Sequence, residues 1–476
     1  MILIFLTVFI MEDSIMPSLR LSALGSDFTL LIEDPLTDVQ FNPAKLGNLK
    51  GVSIYFKPEW TSYIGGGKVN AAILYPMALR NVCLGLLSSY SYAKYHTIYV
   101  EHTIYVEYDG YAYSDTMLYL KSYPSANIFV ALPLIKKGGF FGLKGTIKKP
   151  NRESTMRYRR MHFDTTYYNS DTSFYQDISH SFRQDIDKTS LWSIRSGLYL
   201  PFENSAIGFI FAITHSEPVI SKCDSSFRDY SHTNIGHYDS IRTMDYYQNI
   251  DENSETYNEN YDIWQYHLGF DWIKDVDHGR IRFFCQGELG IGEFSRQEIL
   301  KHWDFSEHRF EYTSPDTSYS TVDTTIYEDT DEDISVIGDI IRDGEEIGIG
   351  FEKLIHSNIN LLIGLKICRT RSEIKETTPD TVKTIEIDYR TIMPLGAEFF
   401  VTRKICIRGG ISVSYTNHSA EEINTENAKV TDSFLKVHHS FGLGVNLTPH
   451  FHFDLYNHGY DMASIDNWKL EVIYRF

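Results

Sequence analysis

The 476-residue chain lacks a long apolar run. No stretch approaches the ~18 consecutive apolar residues of a membrane-spanning helix, so a helical bundle within a membrane is excluded. A membrane barrel is not, because its strands alternate and never make such a run. Positive charge is also scarce. Lys and Arg number 44 against 63 Asp and Glu, a net charge of −19, and mean hydropathy is −0.26. Nothing basic is clustered to neutralise phosphates, which argues against a nucleic-acid partner. The five cysteines (Cys83, Cys223, Cys285, Cys368 and Cys406) stand far apart with no CxxC pair, so they read as small apolar filler rather than zinc ligands or a disulfide framework. The signatures GxSxG, GxGxxG, HExxH and the P-loop are missing. His232, His237, Asp239 and Asp245 supply side chains common in catalysis, but at no spacing that selects a reaction. A non-enzyme without a cofactor is the expectation.

What the chain has is aromatic and alternating. Apolar residues reach 42% and aromatics 14%, led by 33 Tyr and 29 Phe. From Val52 onward the pattern has period two. Ile207, Phe209, Phe211 and Ile213 alternate with Gly208, Ala212 and Thr214. Trp264, Tyr266, Leu268, Phe270 and Trp272 alternate with Gln265, His267, Gly269 and Asp271. Ile359, Leu361, Ile363, Leu365 and Ile367 alternate with Asn360, Gly364 and Lys366. Ile405, Ile407, Ile411, Val413 and Tyr415 face away from Arg408, Ser412 and Ser414. One apolar face and one polar or small face per strand is the signature. Strands of soluble sandwiches are typically ~5–6 residues. These often reach the ~9–11 that a tilted strand needs to cross a bilayer.

The connections alternate in length. Short ones are expected at Met77–Arg80, Lys136–Gly138, Phe202–Asn204, Asp275–His278, His356–Ser357, Arg403–Lys404 and Thr448–His450. Long polar loops are expected at Asn151–Thr189, Glu217–Asn260, Ser295–Gly344, Arg371–Val382 and Asn417–Thr431. That is the rhythm of an up-and-down membrane barrel. The fold class expected is therefore all-β: a transmembrane antiparallel up-and-down barrel of 14–16 strands with a short N-terminal helical plug. A tandem HTIYVE, at His96–Glu101 and His102–Glu107, preserves side-chain facing because six is even. In Glu328–Asp333, Asp329, Asp331 and Asp333 recur at every second position. Such carboxylates could bind calcium, but the EF-hand glycine and glutamate are absent, and a solvated acidic loop is the plainer reading.

Both ends carry signals. Met1–Ile10 (MILIFLTVFI) has the length of a secretory apolar core, although no Lys or Arg precedes it and no clear cleavage site follows. Residues 1–20 are expected to be a signal peptide, 21–50 a plug, and 51–476 the barrel with long extracellular loops. In the plug, Asp34-Pro35 and Asn42-Pro43 each set a capping side chain before a proline, which predicts two short helical turns. At the other end, Trp468, Leu470, Val472, Tyr474 and Phe476 form one face of a final strand. This ending resembles the signal by which bacterial outer-membrane barrels are recognised for assembly. It implies an outer-membrane location, with lipid and the barrel-assembly machinery as partners.

Ala23-Leu24-Gly25, Phe28, Asp34 and Asn42-Pro43-Ala44-x-Leu46 then gain meaning together. This segment resembles the N-terminal plug of FadL-like outer-membrane transporters and their PorV-like relatives. The plug motif carried over is Asp34, Asn42, Pro43, Ala44 and Leu46. Fourteen strands are usual in those families, whereas the turns here favour sixteen. The resemblance implies a plug-gated channel for hydrophobic, fatty-acid-like small molecules. The PorV-like branch implies instead a non-enzymatic scaffold that holds a secreted or surface protein. A general porin with a water-filled, charged bore is the third alternative.

Overall fold

The computed structural model describes residues 18–24, 26–61, 66–75, 82–101, 105–106, 109–122, 124–134, 138–168, 171–238, 241–313, 318–377, 382–423, 428–457 and 468–476. The expected signal peptide and the second HTIYVE copy lie wholly or mostly outside these residues. The expected boundary after residue 20 falls inside the first helix of the plug.

Among the described residues, nineteen strands follow that plug. They are β1 (Ser53–Thr61), β2 (Gly66–Tyr75), β3 (Cys83–Glu101), β4 (Tyr105–Val106), β5 (Asp109–Ser122), β6 (Ser125–Pro133), β7 (Phe140–Lys148), β8 (Asn151–Tyr168), β9 (Asp171–Pro201) and β10 (Ser205–Tyr238). The remainder are β11 (Ile241–Val276), β12 (Gly279–Thr313), β13 (Ser318–His356), β14 (Ile359–Thr377), β15 (Val382–Phe400), β16 (Ile405–Ile423), β17 (Ala428–Asn446), β18 (Phe451–Asn457) and β19 (Trp468–Arg475). Neighbours pair antiparallel, and β1 pairs with both β2 and β19, which closes the ring.

The ring has sixteen staves. β4 is a side arm on β5. β5 and β6 lie end to end along β3, and β7 and β8 lie end to end along β9. Proline explains both breaks. Pro124 and Pro150 stand side by side: Lys149 N donates to Pro124 O at 3.1 Å and Thr189 N to Pro150 O at 3.1 Å. Pro218 pairs with Thr189 in the same row, and the β10–β11 ladder skips a step there. Proline has no N–H to give, so the ladder opens where three of them meet.

The apolar stripes face outward. Phe209, Leu268, Ile291, Ile363 and Ile411 are exposed although large and hydrophobic. Their strand neighbours Ile210, Asn360, Leu362, Arg408 and Ser412 point inward and are buried. A continuous exposed apolar belt on a closed barrel is stable in lipid and not in water. Aromatic side chains rim the belt. Above, Trp192 and Trp264 meet edge-on at 5.6 Å, with His215 against both. Below, Tyr474 packs on Phe476 at 4.5 Å and on Phe451 at 5.9 Å. Trp192 and Phe202, ten residues apart on β9 and its turn, bracket the belt. At ~3.3 Å per residue and a tilt of ~40°, that span is close to the ~25 Å height of such belts.

The described short turns fall where the sequence placed them, but the described parts of the long loops are strand. Asn151–Thr189, Glu217–Asn260 and Ser295–Gly344 continue the staves, so β9 to β13 run to 31, 34, 36, 35 and 39 residues. Pairing persists without slippage from Ser205↔Lys274 to Tyr238↔Ile241, apart from the proline step. These segments resemble loops in the sequence because their apolar alternation fades. It fades because both faces meet water above the bilayer, while Tyr, Thr and Ile keep strand propensity. The acidic run Glu328–Asp333 lies on β13 as well, with Asp331 the extra residue of a bulge between the pairs Leu300↔Glu332 and Lys301↔Thr330. The loop reading of that run is therefore corrected to strand.

Candidate functional site

The bore is filled at the level of the lipid belt by residues 18–49. Among the described residues, four short helical pieces make the plug where two were expected: α1 (Leu19–Leu24), a 3-10 turn (Ser26–Phe28), α2 (Pro35–Phe41) and a second 3-10 turn (Pro43–Asn48). The two proline-flanked caps form as expected. Asp34 Oδ1 accepts from Thr37 N at 2.9 Å, and Asn42 Oδ1 accepts from Ala44 N at 3.1 Å. Of the two pieces not expected, α1 has a lone serine cap without a proline after it, Ser18 Oγ accepting from Leu21 N at 3.3 Å.

Each residue of the plug motif is buried, and each has a place. Asp34 also accepts from Ser18 Oγ at 2.6 Å, tying α1 to α2. Asn42 donates from Nδ2 to Leu198 O on β9 at 3.1 Å. Pro43 and Ala44 lie against Gly142 on β7, where a methyl group would strike the Ala44 backbone. Leu46 packs with Leu36, Val39, Tyr55, Leu74 and Phe129. Gly410 on β16 likewise leaves room for the Leu24 carbonyl, and Gly350 on β13 for that of Leu31. Missing Cβ atoms on the wall are what let plug backbone lie flush against strands. A second apolar cluster joins Leu21, Leu24, Phe28, Leu31 and Phe41 of the plug to Ile210, Phe284 and Leu362 of the wall.

Sequence reasoning missed the charges that hold the plug. Arg20 on α1 makes a two-pronged bond to Glu398 on β15, with Nε and Nη2 each at 2.9 Å. Glu398 also accepts from Arg408 at 3.0 Å and Asn360 at 3.0 Å, and Arg408 pairs with Asp454. Burial works against the Arg20 charge, but Glu398 and Glu352 more than offset it and hold the guanidinium protonated. Three to four staves away, on β12 and β11, Asp38 meets Arg282 at 2.7 Å, and Lys45 pairs with Asp271. Arg282 and Asp271 are each 1% exposed. Arg282 Nη1 donates to Ile32 O at 2.7 Å, and the backbone N–H of Leu19 donates to Glu471 on β19 at 3.0 Å. The signal was present as polar residues on the inner face of apolar-alternating strands (Asp271, Arg282, Arg408, Glu471), but nothing in one sequence pairs them with the plug.

Two cavities flank the plug and share no lining residue. The lower one, about 560 Å³, is lined by Glu33, Lys45, Tyr55, Tyr199, Arg280 and Arg475. The upper one, about 570 Å³, has Asp27 of the plug on its floor and Glu288, Glu346, Lys366, Arg390 and Lys436 on its walls.

The remaining candidates stay apart from this site. Trp468, Leu470, Val472, Tyr474 and Phe476 lie on the outward side of β19, and Phe476 N donates to Val52 O at 3.0 Å beside the barrel seam. Among the described residues, no group of His, Cys, Asp and Glu is arranged to hold a metal ion. His232 meets Ser173 at 3.0 Å and Asp245 meets His308 at 2.7 Å, while Asp239 lies outside the described residues. All five cysteines lie in strands and none is disulfide-bonded, with Cys83 and Cys406 buried.

No family model and no curated protein matches this chain. Solved structures similar to it include the toluene transporter TbuX of Ralstonia pickettii, at 9% identity over 93% of this chain and 94% of that one, TM-score 0.32. A FadL homologue from Pseudomonas aeruginosa matches at 8% identity over 94% and 95%, TM-score 0.27. The alcaligin outer-membrane receptor FauA of Bordetella pertussis matches at 10% identity over 90% and 76%, TM-score 0.30. At these values the functional reading rests on this chain's own geometry.

Proposed function

We propose that the protein is an outer-membrane channel for small apolar molecules, closed by its N-terminal plug. The observation that carries this is the way the plug is seated. It meets the wall through ion pairs on separate staves, Arg20–Glu398 on β15 and Asp38–Arg282 with Lys45–Asp271 on β12 and β11. It also separates the two cavities. Such ion pairs exchange for water more readily than a ladder of strand hydrogen bonds does, so the plug is the part of the bore suited to move. Displacing it would bare Ile210, Phe284 and Leu362, an apolar strip on the inner wall along which an oily solute can shed water stepwise. The closed ring, the lipid-facing belt and the outward aromatic ending of β19 support a place in a bacterial outer membrane, with insertion by the assembly machinery.

The test is a lock. Arg20→Cys with Glu398→Cys, whose native side chains touch, ties α1 to β15 without added bulk when the two thiols are bridged by a short reducible bifunctional reagent. Bridged protein in liposomes should take up a radiolabelled apolar solute such as decanoate more slowly than the same protein after reduction. Equal uptake in both states would end the gating role. The scaffold alternative would show instead as one specific protein crosslinked through β10 and β11 above the bilayer.

A further inference from the structure

The upper cavity has a chemistry that an apolar cargo does not require. Strand register arranges its walls in inner rows. One row runs Gln286, Glu346, Cys368, Arg390, Thr416, Phe434 across six adjacent strands. The row beneath runs Phe284, Gly348, Lys366, Ile392, Ser414, Lys436. Cations at plug level meet carboxylates: Arg20, Lys45, Arg282 and Arg408 all do, and Lys366 meets Glu346 at 3.5 Å. Arg390 and Lys436 are different. Both are exposed within the bore, and among the described residues neither forms an ion pair, Lys436 lying only over the Phe434 ring at 4.7 Å. Two cations without an ion-pair partner thus stand on one arc of the upper cavity.

We propose that Arg390 and Lys436 form a binding site for a small hydrophilic dianion, a solute bearing two carboxylates or a phosphate. Arg390 on β15 and Lys436 on β17 flank β16, whose inward residues here are the short hydroxyls Ser414 and Thr416. At ~4.8 Å between strands and ~3.3 Å per residue, the two Cα atoms stand roughly 12 Å apart, so two long side chains leave a gap of a few ångströms above the hydroxyls. That gap fits an oxyanion, with Arg390 forking onto it and Lys436 acting as a point charge. The carboxylates nearest the gap already have partners: Glu346, two strands from Arg390 in its own row, meets Lys366 at 3.5 Å, and Asp388, two residues along β15, meets His418 at 2.7 Å. Glu345 meets Arg369 at 3.8 Å, Glu288 is on β12, and Asp27 is on the floor. Apart from Phe434, Ile392 and Cys368, the lining is polar or glycine, so no slot receives an acyl chain. The site does not depend on plug movement.

Titration calorimetry on the full-length protein in detergent, with the plug locked by the bridged Arg20→Cys/Glu398→Cys pair, tests this. The probes are succinate, inorganic phosphate, the neutral diamide of succinate, and decanoate. At least one dianion should bind saturably, and the diamide should not. Arg390→Gln and Lys436→Gln should each weaken that binding at least tenfold while heat-modifiable migration on gels confirms an intact barrel. Whichever dianion binds more tightly identifies the carboxylate or the phosphate source. Binding unchanged in the double variant, equal binding of the diamide, or tighter binding of decanoate than of either dianion would overturn the site. Because the plug stays locked throughout, these outcomes are independent of whether the plug gates transport.

Discussion

Replacing Asp271 by Asn is the sharpest probe of how the plug is held. Four charges meet there, two of each sign: Asp38 and Lys45 from the plug, Asp271 and Arg282 from the wall. None is more than 8% exposed. The Asn side chain keeps the shape and removes one negative charge, leaving the cluster at net +1 away from water. Breaking a buried pair by removing one partner typically costs about 3–5 kcal/mol. At ~1.4 kcal/mol per factor of ten, the seated plug should lose roughly two to three and a half orders of magnitude in its equilibrium with the unseated one. Ala44, fully buried in the wild type, is the reporter. As Ala44→Cys in liposomes it should react with a water-soluble maleimide far faster when Asp271→Asn is present. Adding Lys45→Met leaves Asp38 and Arg282 as a neutral pair and should restore most of the protection. Wild-type reaction rates in Asp271→Asn, or no recovery in the double variant, would refute the argument.

Three further outcomes are expected. Gly410→Val should drive the Leu24 carbonyl off β16 and raise single-channel conductance in planar bilayers, whereas the outward Ile411→Val should change nothing. Ile363→Arg, on the lipid face within the belt, should lower unfolding stability in vesicles by about 2–4 kcal/mol, read by urea titration of tryptophan fluorescence. Deleting Phe476 removes its stacking on Tyr474 and its backbone bond to Val52, so the yield of heat-modifiable barrel in the outer-membrane fraction should fall at unchanged synthesis.

The wall was legible in the sequence because lipid imposes a rule. Phe209, Ile363 and Ile411 must be apolar wherever they face acyl chains, and their neighbours need not be, so period two shows through. Turns such as Phe202–Asn204 and Arg403–Lys404 were legible for the same reason, since the pattern stops abruptly there. The tall part of the wall was not. Above Trp192, His215 and Trp264 no lipid enforces alternation, and strands such as Ser221–Tyr238 of β10 look like polar loops. In the plug, Asp34 and Asn42 were found because capping is local chemistry between residues two or three apart. Arg20 and Glu398 were not, because their bond joins residues 378 apart and only folding brings them together.

The claim beneath the rest is that the oily face of each stave looks into lipid and the polar face into a plugged bore. Spin labels placed singly from Asn360 to Ile367 on β14 in reconstituted protein test it most directly. Relaxation by lipid-soluble oxygen should be strong at positions 361, 363, 365 and 367, with the intervening sites shielded. The opposite phase, no alternation, or protein that stays monomeric and folded in buffer without detergent would contradict it.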